Sequence, residues 1–233
     1  MTDAETTTRA NSWVELDRAA LEANVQQFRR LAGPDRLLMA VVKADAYGHG
    51  AALAAPVALE AGADWLGVFS AAEGLALRAA GITAPILVLG PTAGPLTEAA
   101  LEAGLRLSVA SPVAARELAA SPRARGARAH LKLETGTNRQ GLAEHELLAA
   151  HAALADAGVE VEGAYTHFAD IEDTTEHEFA ELQRTRFSAA LDRLRAAGRS
   201  IPIPHTACSA AAILFPETHH AMLRVGISLY GLW

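Results

Sequence analysis

Short apolar runs of four or five residues recur along the chain, and each is followed by a longer Ala-, Leu-, Glu- and Arg-rich stretch that ends at glycine or proline. Runs of that length between turn residues read as buried strands, and their alternation with helical stretches argues βαβ units in a parallel sheet. Eight such runs occur: Leu38 to Val42, Trp65 to Phe69, Ile86 to Leu89, Leu105 to Val109, Ala129 to Leu133, Glu162 to Thr166, Ile203 to Thr206 and Met222 to Val225. Eight parallel strands with helices between them close into a (β/α)8 TIM barrel, an α/β fold. Helical periodicity is clearest over Asp17 to Leu31, Ala71 to Ala80, Leu142 to Ala157 and Thr175 to Ala197, while Gly62, Gly81, Gly104, Gly158 and Gly198 stand where helices end. An earlier run, Trp13 to Leu16, reads as a ninth strand and has no place in an eight-stranded barrel, so it is expected to belong to something outside it.

A length of 233 residues suits one such barrel, with at most two domains. The net charge of −7 and an aromatic content of 5% give no footprint for nucleic acid or for an anionic membrane. Residues 1–12 are Thr- and Ala-rich without an apolar segment, so they are expected to form a disordered tail rather than a signal peptide, and the protein is expected in the cytoplasm. The single cysteine, Cys208, excludes an internal disulfide and any multi-cysteine zinc site.

In this fold catalytic groups stand at the C-terminal ends of the strands. The unusual residues fall there. Lys43 follows the first run, Glu134-Thr135-Gly136-Thr137-Asn138-Arg139 the fifth, His167 the sixth, His205 with Cys208 and Ser209 the seventh, and Arg224, Gly226 and Ile227 close the eighth. A lysine at the end of a buried strand is partly desolvated, which lowers its pKa and frees the amine to form a Schiff base with a carbonyl. Loops after the last two strands commonly hold a phosphate, a role that suits Ser209, Gly226 and Ile227.

Lys43-Ala44-Asp45-Ala46-Tyr47-Gly48-His49-Gly50, following the apolar Leu38 to Val42, resembles the pyridoxal phosphate attachment motif of alanine racemases over eight unbroken positions. The likeness extends from Trp13-Val14-Glu15-Leu16-Asp17 to Leu229-Tyr230-Gly231-Leu232. It implies a homodimeric isomerase that interconverts L- and D-alanine with pyridoxal 5'-phosphate and supplies D-alanine for peptidoglycan. By the same resemblance, Lys43 bonds the cofactor and acts as the base on the D side. Tyr47, Ser209, Gly226 and Ile227 reach the phosphate. Arg224, oriented by His167, donates to the pyridine nitrogen, Arg139 contacts the phenolic oxygen and the substrate carboxylate region, and His205 packs behind the cofactor. Lys132 falls where some members carry a carboxylated lysine that orients this arginine. In the family a second, mostly β domain follows Leu-Tyr-Gly and supplies the tyrosine base on the L side, so residues 13–233 read as the cofactor-binding barrel, with Trp13 to Leu16 belonging to that other domain.

A guanidinium facing the pyridine nitrogen is a donor that keeps its proton, so the ring stays unprotonated and withdraws electrons weakly, which favours return of the proton to the α-carbon over transamination. Two departures from the family stand out: Thr137-Asn138 where Met-Gly is common, and Cys208 where an asparagine is common. Other readings are a stand-alone single-barrel pyridoxal phosphate carrier, whose lysine motif lacks Asp-Ala-Tyr-Gly-His-Gly, and a metal-dependent barrel hydrolase or aldolase using Glu134, His167, Asp170 and His205. Taken alone, His167 and His205 read as hydrogen-bonded core histidines, and His130 has no ligand spacing.

Overall fold

Alternation along the first strand separates the inside of the molecule from the outside. In the computed structural model, which describes residues 14–172 and 176–232, β1 (Leu37–Val41) turns Met39 and Val41 toward Trp65, Leu87 and Met222, while Leu38 and Ala40 face the helices. The other strands are β2 (Trp65–Val68), β3 (Ile86–Val88), β4 (Arg106–Val109), β5 (Arg128–Lys132), β6 (Glu160–Tyr165), β7 (Ile203–His205) and β8 (Met222–Val225). Neighbours pair in parallel in the order β7-β6-β5-β4-β3-β2-β1-β8, as the βαβ pattern requires.

The β7/β8 seam does not form a ladder. It is closed by two main-chain hydrogen bonds, Ala221 N to Pro204 O and Arg224 N to Ala207 O, each 3.0 Å. Pro204 lies on β7 and has no N–H to donate, which explains why this junction is the sparse one.

Helices α1 (Arg18–Ala32), α2 (Ala51–Glu60), α3 (Ala71–Ala79), α4 (Pro95–Glu102), α5 (Pro112–Ala119), α6 (Leu147–Asp156), α7 (Glu178–Ala196) and α8 (Ser209–Leu214) complete the barrel. Three expectations need correction. Val14 to Leu16 are not a strand: no strand among the described residues pairs with them, and Val14 and Leu16 are 72% and 41% exposed. Trp13 and the expected tail of residues 1–12 lie outside the described residues. The helix expected from Leu142 starts at Leu147, because Leu142 is extended and bridges the chain after β5 through Leu142 N to Lys132 O (2.7 Å) and Glu134 N to Leu142 O (2.9 Å). The helix expected from Thr175 starts at Glu178, and Thr175 itself lies outside the described residues.

The barrel interior is apolar beside β1 to β3 and polar beside β4 to β8, where Ser108, His130, Lys132, Glu162, Tyr165, His205 and Arg224 are all buried. Seven interior polar side chains is unusual for a packed barrel, and each demands a partner.

Immediately after Lys43 the backbone turns left-handed. Ala44, Asp45, Ala46 and Tyr47 have φ of 51°, 52°, 55° and 56°. L-residues adopt this conformation at a cost of roughly 1–2 kcal/mol each and rarely in succession. Compensation comes from Glu73 in the α3 capping box: its Oε1 accepts from Ala44 N (2.8 Å) and its Oε2 from Phe69 N (2.7 Å) and Ser70 N (3.0 Å). Asp45 Oδ1 accepts from Ala51 N at 2.6 Å, which ties the turn to α2. Two substitutions test this account by urea unfolding: Glu73→Ala is expected to destabilise by about 1–3 kcal/mol, since three donors lose one carboxylate, and Ala44→Gly to leave stability unchanged or raise it by up to about 1 kcal/mol. An Ala44→Gly protein less stable than the parent would contradict the assigned strain.

Candidate active site

The C-terminal ends of the strands surround a cavity of about 320 Å³. Of the nine residues expected at the site, eight line it: Lys43, Tyr47, Arg139, His167, Ser209, Arg224, Gly226 and Ile227. The ninth, His205, is fully buried beneath Arg224 and does not reach the cavity. Lys132, Tyr165, Gln140, Glu172 and Cys208 also line it. Among the described residues, four cationic side chains, Lys43, Lys132, Arg139 and Arg224, thus face one space against the one carboxylate of Glu172. Such a surplus selects an anionic ligand.

One corner is shaped for small anionic oxygens. Ser209 Oγ accepts from Gly226 N at 3.1 Å, and a Cβ on Gly226 would stand 2.4 Å from Tyr47 Oη, so only glycine lets the tyrosine hydroxyl, the serine hydroxyl and this backbone meet. α8 and a 3-10 turn, Ile227–Tyr230, begin at the same corner. Tyr47 is held by its left-handed turn and by the Tyr230 ring, 5.3 Å away, while Tyr230 Oη donates to Val41 O at 3.3 Å.

Arg224 carries five N–H donors and four are taken. Nη1 donates to His205 Nδ1 and His205 O, both at 2.9 Å, and Nη2 to Thr166 O (2.8 Å) and Thr206 O (3.1 Å). Among the described residues only Nε–H is left uncommitted, and Arg224 lines the cavity. The expected orientation of Arg224 by His167 is corrected here: the histidine that holds the guanidinium is His205. His167 stands instead at the cavity wall, where burial and then the charges of Arg224, Arg139, Lys132 and Lys43 push its pKa down to about 3 and keep it neutral.

The same physics acts on the lysines. Burial, then the charge of Arg139, lowers the Lys43 pKa, against an opposing pull from Glu73. Lys132, on β5, is pushed down to about 8 by burial and by Arg139 and Arg224, and its Nζ donates to Gln140 O at 3.0 Å. The loop that carries Arg139 is wound around Glu134, whose carboxylate accepts from Gly136 N (2.6 Å) and Arg139 N (3.3 Å). Asn138 has φ of 52°, so the departure from glycine at this position keeps a residue type that tolerates the left-handed region.

Cys208 Sγ stands 3.8 Å from Glu172 Oε1, and burial raises its thiol pKa. For the metal-site alternative, no group of three His, Cys, Asp or Glu side chains among the described residues is arranged to hold an ion, and His205 faces Arg224 and His130 instead. Sequence reasoning missed Glu73 and Tyr165, and it set His130 aside. Tyr165 stacks on His205 with ring centroids 4.9 Å apart and has the Arg224 guanidinium carbon 5.2 Å from its ring centroid.

Comparison with known proteins places these residues in a family. The profile of the alanine racemase N-terminal domain matches residues 16–233. An alanine racemase of Symbiobacterium thermophilum is 45% identical over 225 residues, 95% of this chain and 59% of that protein. Among solved structures, alanine racemase of Clostridium difficile 630 superimposes with a TM-score of 0.91 at 32% identity, over 97% of this chain and 63% of that one. Alanine racemase of Bacillus anthracis with bound L-Ala-P gives 0.89 at 36% identity, over 95% and 58%. The chain therefore spans about 60% of the length of the relatives it matches. With the family profile matching residues 16–233 and a relative 45% identical over 95% of the chain, this protein belongs to the alanine racemase family.

Proposed function

We propose that this chain is the pyridoxal phosphate-binding barrel of an enzyme that interconverts L- and D-alanine. The observation that carries the reading is the convergence of a desolvated Lys43 and an Arg224 with one free donor on a single cation-lined cavity. The corner of Tyr47, Ser209 and Gly226 fits a phosphate group, and a cofactor so held would supply an aldehyde for the substrate amine and a conjugated ring that spreads the charge left on the α-carbon. Lys43 is assigned the bond to that aldehyde and, once displaced, the proton on the D side of the α-carbon. Arg224, whose Nε–H is left uncommitted, would donate to the ring nitrogen without protonating it, which would keep the ring a weak electron acceptor and favour racemisation. Arg139 attracts the substrate carboxylate. His167, held neutral, adds a hydrogen bond without further positive charge.

A proton carrier is also needed on the other face of the α-carbon. We assign it to the part of the racemase that the relatives carry beyond the matched 60%, in a homodimer. Supply of D-alanine to peptidoglycan in the cytoplasm is the proposed setting; no helix among the described residues is long and apolar enough to cross a membrane. Lys132 is the proposed site of carboxylation: its neutral amine adds carbon dioxide with release of one proton, and the resulting anion pairs with Arg139.

Borohydride treatment with pyridoxal phosphate is expected to add the reduced cofactor to the Lys43 peptide, read by mass spectrometry, and to leave Lys43→Ala unlabelled with alanine turnover down roughly 10²–10⁴-fold. Labelling of Lys43→Ala at another residue would remove Lys43 from its role. Arg224→Glu, which favours the protonated ring, is expected to raise pyruvate formation relative to racemisation. For Lys132, whose pKa of about 8 marks the onset of the neutral amine, carbamate measured by ¹³C NMR at fixed dissolved carbon dioxide is expected to increase from pH 7 to pH 9 and to vanish in Lys132→Ala.

A further inference from the structure

Behind Arg224 the polar half of the barrel continues as a single file of hydrogen bonds. His205 Nδ1 is 2.9 Å from Arg224 Nη1, His205 Nε2 is 2.8 Å from His130 Nδ1, and His130 Nε2 is 3.3 Å from Glu162 Oε1. Direction is imposed from the top. A guanidinium only donates, so His205 Nδ1 accepts, and a neutral ring that accepts at Nδ1 carries its proton on Nε2. That proton goes to His130 Nδ1, which leaves His130 to donate from Nε2 to Glu162. Both imidazoles are fully buried and their pKa values are lowered, so both are neutral. Burial pushes the Glu162 pKa up, but the hydrogen bond from His130 and the guanidinium of Arg106 (3.2 Å) outweigh it and hold the carboxylate ionised.

The backbone is shaped for this file. Ala129 pairs with Val161 but His130 pairs with Gly163, so Glu162 is the extra residue of a bulge in β6, the device by which a strand re-aims one side chain. A Cβ on Gly163 would stand 2.2 Å from His130 Nδ1, so the imidazole occupies space that any other residue there would fill. Trp65 meets the His130 ring edge-on at 5.5 Å and Tyr165 stacks on His205, which blocks rotation of both.

We propose that Glu162, at the far end of this file, is a positioning residue for Arg224: by accepting from His130 it selects the Nε2–H tautomer of both histidines, keeps His205 Nδ1 an acceptor, and so leaves Arg224 Nε–H as the donor to the cavity. Reversal of either tautomer sets two N–H groups against each other at Arg224 or at the His130–His205 contact, and the guanidinium then loses the acceptor that fixes its rotation. The consequence for a bound ring rests on the function proposed above, whereas the tautomers are a property of the chain itself.

The test is a long-range ¹H–¹⁵N correlation spectrum of ¹⁵N-histidine-labelled protein, assigned with H130Q and H205Q, recorded for the parent, Glu162→Gln and Glu162→Met. The parent is expected to show both rings as neutral Nε2–H tautomers. Glu162→Gln, which keeps a carbonyl oxygen as acceptor, preserves them, and Glu162→Met yields a mixture at His205. Pyridoxal phosphate titration is expected to show affinity within about twofold of the parent for Glu162→Gln and about tenfold weaker for Glu162→Met, the scale of one misdirected hydrogen bond. An Nδ1–H or doubly protonated His205 in the parent overturns the proposal whether or not Glu162→Met folds, as does a His205 tautomer unchanged in a folded Glu162→Met. Parent tautomers as stated, with no pyridoxal phosphate bound by any form, support the file and overturn the cofactor reading instead.

Discussion

A guanidinium taken wholly out of water sets the terms for the rest of this barrel. Arg224 is buried on β8, and its charge is tolerable only because four of its N–H groups find acceptors. Three of those acceptors are main-chain carbonyls of Thr166, His205 and Thr206, at or just past the ends of β6 and β7. Two of the three, His205 O and Thr206 O, lie on the β7 side of the seam that forms no ladder, so an imperfection in closing the sheet leaves acceptors beside the site. Burying one charge also commits its neighbours: His205 must stay neutral, and His130 and Glu162 must complete the file that begins with it.

The fold was easy to read in the chain and the site was partly so. All eight runs became strands: β1 to β3 carry continuous apolar sequence, as fully buried parallel strands do, and the later ones kept enough apolar positions to be legible in spite of the polar residues buried on them. Lys43 and Arg224 were visible because a cation is out of place in an apolar run, and Arg139, in the polar loop after β5, through the family resemblance. Val14 to Leu16 formed no strand, because a short apolar run becomes one only beside a pairing edge and no strand among the described residues pairs with them. Glu73 and Glu162 were invisible for a different reason: a carboxylate on a helix or strand looks like any solvated one, and its meaning lies in which N–H groups fold brings to it. The assignment of Arg224 to His167 rather than His205 failed in the same way, since His205 ends β7 and His167 stands just past β6, and only the direction of the side chain separates them.

Strain and charge are placed next to each other around Lys43. The left-handed turn from Ala44 to Tyr47 places the Lys43 amine and the Tyr47 phenol at opposite ends of five residues, and Glu73 restrains it from α3 without entering the cavity. A right-handed continuation would cost less locally but would send Tyr47 along a different path. Stability is thereby lost in the loop so that two groups from one segment can point into one space.

The sparse seam has a mechanical meaning as well. Ser209 follows β7 and Gly226 follows β8, so the two sides of the anion corner belong to the two strands that pair least with each other. An anion clasped there acts as a rivet across an open joint, completing the circumference that Pro204 interrupts. An anion bound there would stabilise the fold as well as occupy the site, because it would tie β7 to β8.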